Sequence, residues 1–262
     1  MNGETCFRLD GKTALITGGR GLYGKPITEG LCEAGATVVI ASRDAGACQS
    51  YAEELNSRGY RAFGVALDLG NDASIESLAG WVRATMGHVD ILINNAVNRA
   101  AYEMPGKLTR DNLNAAQNIN IAGTMLLTDA LLPDMISAGG GSIINISSIQ
   151  GVRGPHFPYY EPGQSSPPSY TIEKWGIVGY TKWLAGYYGK HQIRVNCISP
   201  GGYNPPLKQT HPAFYSTYME HTPLGKWPDE DDIKGPIIFL ASEASRYVTG
   251  QNLIMDGGFT SW

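Results

Sequence analysis

Short apolar, β-branched runs alternate along this chain with longer segments of helical period, and no other feature restricts the fold as much. Thr13–Thr17, Thr37–Ala41, Arg61–Leu67, Ile91–Asn94, Ser142–Ser147, Arg194–Ile198 and Asn252–Met255 read as strands. Between them, Leu22–Ala34, Ala45–Arg58, Asn71–Met86, a helical stretch ending at Ile136, Tyr170–Tyr188 and Asp231–Ala241 read as helices. The strand runs are nearly continuously apolar, as strands covered on both faces must be. Repeated strand–helix–strand units of this kind predict a doubly wound parallel α/β sheet. Single α/β domains of about 262 residues are routine, so residues 1–262 are expected to form one domain, with core enough to dispense with metals or disulfides. Ligands of such sheets bind beyond the carboxyl ends of the strands.

Charge and cysteine usage narrow the class. A net charge of −4 argues against a general nucleic-acid binder. Cys6, Cys32, Cys48 and Cys197 are scattered, with no CxxC pair and no histidine at zinc-ligand spacing, so they read as separate reduced thiols and no metal site is expected. Residues 1–10 lack an apolar signal core, and no apolar run approaches the roughly 18 residues of a membrane span. The expectation is a cytoplasmic protein with no membrane partner.

Thr17-Gly18-Gly19-Arg20-Gly21-Leu22-Tyr23-Gly24 follows the first strand and opens the first helix. Gly19, Gly21 and Gly24 fit G-x-G-x-x-G, and the strand–turn–helix context gives that match its weight. Glycines let the backbone turn tightly and approach a pyrophosphate, whose charge suits a helix N-terminus. The second strand runs into Ser42-Arg43-Asp44. A carboxylate at that strand end would accept from the adenosine ribose hydroxyls, as NAD sites require. Ser42 stands there instead, followed by Arg43, whose guanidinium can pair with a 2′-phosphate, and Arg20 adds positive charge. NADP(H) is therefore favoured over NAD(H), and a one-residue shift that brings Asp44 to the ribose is the alternative. Asp68 and Leu69 close the third strand, where the aspartate could reach an adenine or prepare a helix start. Asn94-Asn95-Ala96 closes the fourth.

Among fourteen tyrosines only Tyr170 has a lysine four residues later, Lys174. On a helix the two share a face, and an ammonium there favours the phenolate, which suits a general acid/base. The pair follows the strand that ends in Ser147-Ser148. Taken in order, Thr17–Gly24, Asp68, Asn94-Asn95-Ala96, Asn120–Gly123, Ile146-Ser147-Ser148, Tyr170–Lys174, Ser199-Pro200-Gly201 and Asp256-Gly257-Gly258 resemble the motifs of the short-chain dehydrogenase/reductase family over essentially the whole chain.

That resemblance implies a Rossmann fold with an extended substrate loop and hydride transfer between a nicotinamide cofactor and an alcohol or carbonyl. It also implies a role for each matching residue. Tyr170 exchanges a proton with the substrate oxygen, and Ser148, rather than Ser147, hydrogen-bonds that oxygen. Lys174 binds the nicotinamide ribose and tunes Tyr170, and Asn120 holds a water linking Lys174 to solvent. The cofactor is expected along Gly18, Gly19, Arg20, Gly21, Leu22, Tyr23, Gly24, Ser42, Arg43, Asp68, Leu69, Asn95, Ala96, Tyr170, Lys174, Pro200 and Gly201. A homotetramer or homodimer is implied, with Tyr170–Tyr188 and the C-terminal segment at interfaces. Trp175, Trp183 and Trp262 are candidates for burial there, or in the monomer core.

The chain also departs from the family. Its glycine turn reads TGxxGxxG, a spacing like that of longer members acting on nucleotide sugars. Val97 follows Ala96 where glycine is usual, and Pro205 falls where a threonine usually holds the carboxamide. Arg153–Ser169 reads as an insertion, and Pro200–Pro228 as a second long loop of little helical period. Arg99, Arg153, His156, Tyr159, Tyr160, Glu161, Tyr203 and Asn204 are expected to ring the substrate, with Arg99, Arg153, Tyr160 and Tyr203 as contacts beside Ser148. Polar and aromatic groups together suit a sugar, sugar acid or polyol. A nucleotide-sugar epimerase or dehydratase and a non-catalytic nucleotide sensor are the alternatives. Retention of both Tyr170 and Lys174 speaks against the sensor.

Overall fold

The protein is described by a computed structural model covering Gly3, residues 5–160 and residues 165–262. The strands are β1 (Thr13–Thr17), β2 (Thr37–Ser42), β3 (Arg61–Ala66), β4 (Ile91–Asn94), β5 (Gly141–Ile146), β6 (Ile193–Pro200) and β7 (Asn252–Met255). They form one parallel sheet of order β3-β2-β1-β4-β5-β6-β7. The order reverses between β1 and β4, the crevice where doubly wound sheets take ligands.

The helices are α1 (Gly24–Glu33), α2 (Ala45–Ser57), α3 (Asp72–Met86), α4 (Arg110–Gln117), α5 (Thr124–Ser137), α6 (Pro168–Tyr188), α7 (Leu207–Thr210), α8 (Pro212–Glu220) and α9 (Lys234–Ala241). Alternation along each strand divides the core in two. Ala14, Ile16, Val38, Ile40, Ile91 and Ile93 meet Ile27 and Leu31 of α1, Leu55 of α2 and Ile237 and Leu240 of α9. Leu15, Val39 and Leu92 face the other way, onto Leu78 and Val82 of α3, Leu127 and Leu131 of α5 and Leu184 of α6. Each fully buried Leu or Ile contributes about 1.5–3 kcal/mol relative to exposure, so both layers hold the sheet.

Most element ends fall within two residues of the sequence reading; Pro200–Pro228 does not. It carries α7 and α8, with Pro206 immediately before the first and Pro212 opening the second. Proline is pre-organised for the first helical turn, so a proline-rich segment that reads as a breaker starts helices here. Aromatic packing then fixes α8, whose Tyr218 is buried with Trp227 and Phe259. The 3-10 turn Glu230–Ile233 takes the start of the predicted Asp231–Ala241 helix, so α9 begins at Lys234.

A π-helical turn, Asn118–Gly123, joins α4 to α5. The resulting helix, Arg110–Ser137, is 28 residues and is long and apolar enough by length and composition to cross a membrane. Its apolar residues form no continuous run of that length, because Asn, Gln and Thr interrupt them. Leu127, Leu131, Leu132 and Met135 on it are buried against the sheet. Among the described residues no cluster of ligating side chains could hold a metal ion, and the four cysteines are unpaired.

Candidate active site

A cleft of about 1230 Å³ runs along the carboxyl ends of the strands, from Ser42, Arg43 and Asp68 to Ser148, Tyr170 and Lys174. The glycine turn forms its floor near the middle. Gly18 has φ +65°, and a Cβ at Gly24 would run into the Gly18 carbonyl oxygen, so only glycine closes this turn. The Asn95 carboxamide braces it by donating to the Thr17 and Gly18 carbonyls at 3.0 Å each. The amides of Asn95 and Ala96 donate to Thr17 Oγ1. The first turn of α1 carries no acidic side chain and no side-chain cap, which leaves its positive end for an anionic group. Arg20 and Arg43 line the same stretch. A turn closed to side chains, an uncapped helix N-terminus and two nearby guanidiniums fit the pyrophosphate and adenosine half of a dinucleotide.

Asp44 is engaged elsewhere. Its Oδ1 accepts from the Ala47 amide at 2.9 Å and caps α2, and it does not line the cleft. Ser42 and Arg43 hold that rim instead. Asp68 lines the cleft and accepts from the Gly70 amide, while Asn71 caps α3. Leu69, Pro200 and Gly201 line it too, as do Leu22 and Tyr23. Gly19 and Gly24 lie beneath the lining residues, and Pro205 is exposed outside it.

At the other end α6 presents Tyr170 and Lys174. Lys174 is buried, donates to the Ile146 carbonyl at 2.8 Å and lies 5.6 Å from the centroid of the Tyr170 ring. The guanidinium of Arg99 lies 5.2 Å from the same centroid, so two cations flank one phenol. Ser148 lines the cleft and its Oγ accepts from the Gln150 amide. Ser147 donates to the Lys174 carbonyl at 2.9 Å, a tie that holds α6 to the end of β5. Both serines line the cleft, and Ser147 spends its hydroxyl on the Lys174 carbonyl.

Asn120 borders a small cavity together with Lys174. The π-helical turn points its carboxamide at Glu173, donating to Oε2 at 2.9 Å, and at the loop after β4, where Oδ1 accepts from the Asn98 amide at 2.7 Å. It does not line the main cleft. Tyr102 also donates to Glu173 Oε2. Burial pushes the Glu173 carboxyl above the ordinary carboxylate range, while the bonds from Tyr102 and Asn120 and the Lys174 charge oppose the shift. Burial likewise raises the Tyr102 phenol, with the Glu173 contact adding to it.

The expected substrate ring is partly corrected. Arg99, Tyr160, Tyr203 and Asn204 line the cleft. Arg153 does not: its guanidinium donates to the Phe259 and Trp262 carbonyls and lies over the Phe259 ring, tying down the C-terminal segment. His156 and Tyr159 pack ring against ring at a tilt, and Tyr159 meets His221 in the same way; none of the three lines the cleft. Glu161 lies outside the described residues. Sequence reasoning missed Tyr102, Gln150, His211, Phe214, Tyr218 and Trp227, which all line the cleft. Nothing in their spacing marks them, because they meet only once α8 and the surrounding loops have packed. The buried Trp227 indole nitrogen has no hydrogen-bond partner among the described residues.

A family model described as Enoyl-(Acyl carrier protein) reductase matches residues 21–260. The chain belongs to the short-chain dehydrogenase/reductase family. The (2S)-[(R)-hydroxy(phenyl)methyl]succinyl-CoA dehydrogenase subunit BbsD of Thauera aromatica is 34% identical over 95% of this chain and 97% of its own. The 2-dehydro-3-deoxy-D-gluconate 5-dehydrogenase of Escherichia coli is 31% identical over 97% and 98%. A solved gluconate 5-dehydrogenase from Burkholderia cenocepacia, in complex with NADP and tartrate, superposes with a TM-score of 0.88 at 32% identity over 100% of both chains. This dehydrogenase/reductase is accordingly an oxidoreductase acting on CH–OH groups, with the doubly wound fold that its strand pattern announces.

Proposed function

We propose that the protein interconverts an alcohol and a carbonyl on a sugar acid or a related polyol, with NADP(H) as cofactor and Tyr170 as general acid/base. The observation that carries this reading is the pairing at Tyr170, whose ring has the Lys174 ammonium and the Arg99 guanidinium within 5.6 Å and 5.2 Å of its centroid. Tyr170 stands at the cleft with Lys174 beside its ring, the place a proton-transfer group needs to meet a substrate oxygen. Arg99, at the open side of the cleft, offers a bidentate partner for a carboxylate.

When bound, the nicotinamide supplies or removes the hydride. Tyr170 gives its proton to the carbonyl oxygen in reduction and takes one from the hydroxyl in oxidation. Ser148 hydrogen-bonds the same oxygen and holds it against Tyr170. Lys174, anchored on the Ile146 carbonyl, keeps its remaining N–H groups for the ribose. Gly18, Gly21, Arg20, Arg43, Ser42 and Asp68 would hold the pyrophosphate and adenosine. The absence of a carboxylate at the β2 rim, with Asp44 capping α2, supports NADP(H) over NAD(H). Relatives named for gluconate chemistry support a hydroxylated acid.

The test follows NADPH and NADH absorbance with a panel of keto-sugars, sugar acids, polyols and simple ketones, using wild type and Tyr170→Phe. The expected result is NADP(H)-dependent turnover that falls by about 10²–10⁴-fold in the variant while cofactor binding is kept. Undiminished turnover in Tyr170→Phe removes the acid/base assignment, and turnover with NADH alone removes the reading of Arg43.

A further inference from the structure

Gln150 lines the cleft two residues after Ser148, and hydrogen bonds tie it to both sides of the reacting site. A 3-10 turn, Ile149–Gly151, opens at Ser148, and the Gln150 amide donates to Ser148 Oγ at 3.2 Å. The side-chain carboxamide meets the other side. Its Oε1 accepts from Ser166 Oγ at 2.7 Å and from Thr171 Oγ1 at 3.0 Å. Thr171 follows Tyr170 on α6, and Ser166 lines the cleft just ahead of that helix. Two hydroxyls thus fill both lone-pair directions of Oε1, and no described residue accepts from Nε2. A carboxamide with its acceptor spent and its N–H groups unspent is a neutral, directional donor. The acid/base chemistry of Tyr170 and Ser148 makes no use of it.

We propose that Gln150 is a specificity-determining residue, whose Nε2 donates to an oxygen on the carbon next to the reacting one. It thereby selects substrates in which a hydroxyl neighbours the alcohol or carbonyl. The inference rests on the proposed seating of the reacting oxygen between Tyr170 and Ser148. That oxygen once seated, a neighbouring one lies a single C–C bond further along. Gln150 is placed to meet it, one turn from Ser148 and one hydrogen bond from the residue after Tyr170. The amide carries no charge and suits a hydroxyl or keto oxygen, while the Arg99 guanidinium is the partner for a carboxylate. A substrate with a bare methylene at that carbon displaces water and leaves the N–H groups unpaired, which costs more than the hydrogen bond itself contributes. The substrate class narrows to vicinal diols and their hydroxy ketones. A 3-oxoacyl group, with a methylene on each side of its carbonyl, fits this wall poorly.

Two neutral probes of equal chain length test it. Erythrulose carries a hydroxyl on each carbon beside its carbonyl, and 4-hydroxybutan-2-one carries none there. Wild type with NADPH is expected to favour erythrulose in kcat/KM. Gln150→Glu still accepts from Ser166 and Thr171 but has no donor, and it is expected to lose about tenfold of that preference. Gln150→Ala is expected to lose it as well, and the NADPH Kd of Gln150→Glu should stay near wild type. A merely structural tie gives a different pattern: equal losses on both probes in Gln150→Ala and none in Gln150→Glu. That pattern overturns the inference. So does a preference retained in Gln150→Glu, which would mean that the carboxamide turns its oxygen to the cleft. A wild type without the preference, or without turnover of either probe, overturns it too. Tyr170→Phe separates the two readings. If it abolishes turnover while Gln150→Glu keeps the wild-type preference, the acid/base assignment stands and only the role of Gln150 falls. Undiminished turnover in Tyr170→Phe rejects the seating of the reacting oxygen instead.

Discussion

Tyr170 and Glu173 share a helix and stand three residues apart, yet their surroundings set them to different tasks. Tyr170 opens onto the cleft beside two cations, while Glu173 is 2% exposed, accepts from Tyr102 and Asn120 and borders the small cavity. Because the folded protein holds the Glu173 carboxyl above its ordinary value, the native state binds this proton more tightly than the unfolded chain does. Stability from this group is then fully present below the unfolded value, about pH 4.3, and is lost as pH rises through the folded value. Glutamine carries no such titration. The unfolding midpoint of Glu173→Gln is therefore expected to gain on wild type as pH rises from about 4 to neutrality. Thermal unfolding across that range measures it, and a constant difference between the two proteins contradicts the assignment.

Single elements carry constraints that no one residue reveals. The turn between β1 and α1 works because position 24 has no side chain: the backbone of Gly18 and Gly19 occupies the space a Cβ would take. Gly24→Ala is expected to cost about 1–3 kcal/mol of stability through overpacking and to weaken dinucleotide binding about tenfold or more. Differential scanning calorimetry and titration of NADPH fluorescence read the two effects separately. Loss of neither shows that the turn is more pliable than its packing implies. The π-helical turn between α4 and α5 has a comparable local consequence. It turns Asn120 toward Glu173 and the loop after β4, where a regular helix would place different residues on that side.

Across the whole molecule the exposed aromatics call for explanation. Trp175, Trp183 and Trp262 are 51%, 58% and 72% exposed, so the monomer core does not take them. Trp183 stacks on Tyr187 at 5.1 Å on the outer side of α6, and Ile172 is exposed on the same helix, as are Met125 and Leu126 on α5. A large apolar surface rarely stays solvated. The expected partner is a second copy of this chain, in a homodimer or homotetramer. Analytical ultracentrifugation is expected to show such an assembly in wild type and smaller species in Trp175→Glu. A wild-type monomer at micromolar concentration sinks this expectation.

Periodicity and punctuation alone determined the architecture. Apolar strands at regular intervals leave few ways to bury both faces, and the glycine turn, Ser148, Tyr170 and Lys174 are local patterns tied to particular strand and helix ends. For that reason the glycine turn and the Tyr170–Lys174 pair were legible as neighbours of the cleft from the residues and the family they resemble. What a residue touches across the fold was not. Arg153 looked like a substrate ligand on its loop and instead holds the C-terminal segment, because only packing brings Phe259 and Trp262 beside it. Tyr102 and Trp227 reach the cleft from irregular segments and Tyr218 from α8, each held by aromatic contacts. Glu173 was visible as a letter between Tyr170 and Lys174, but its burial and its orphaned oxygen arise from β4, the π-helical turn and α6 converging. Local pattern is written in neighbouring residues, whereas desolvation and long-range partnership exist only once distant segments have packed.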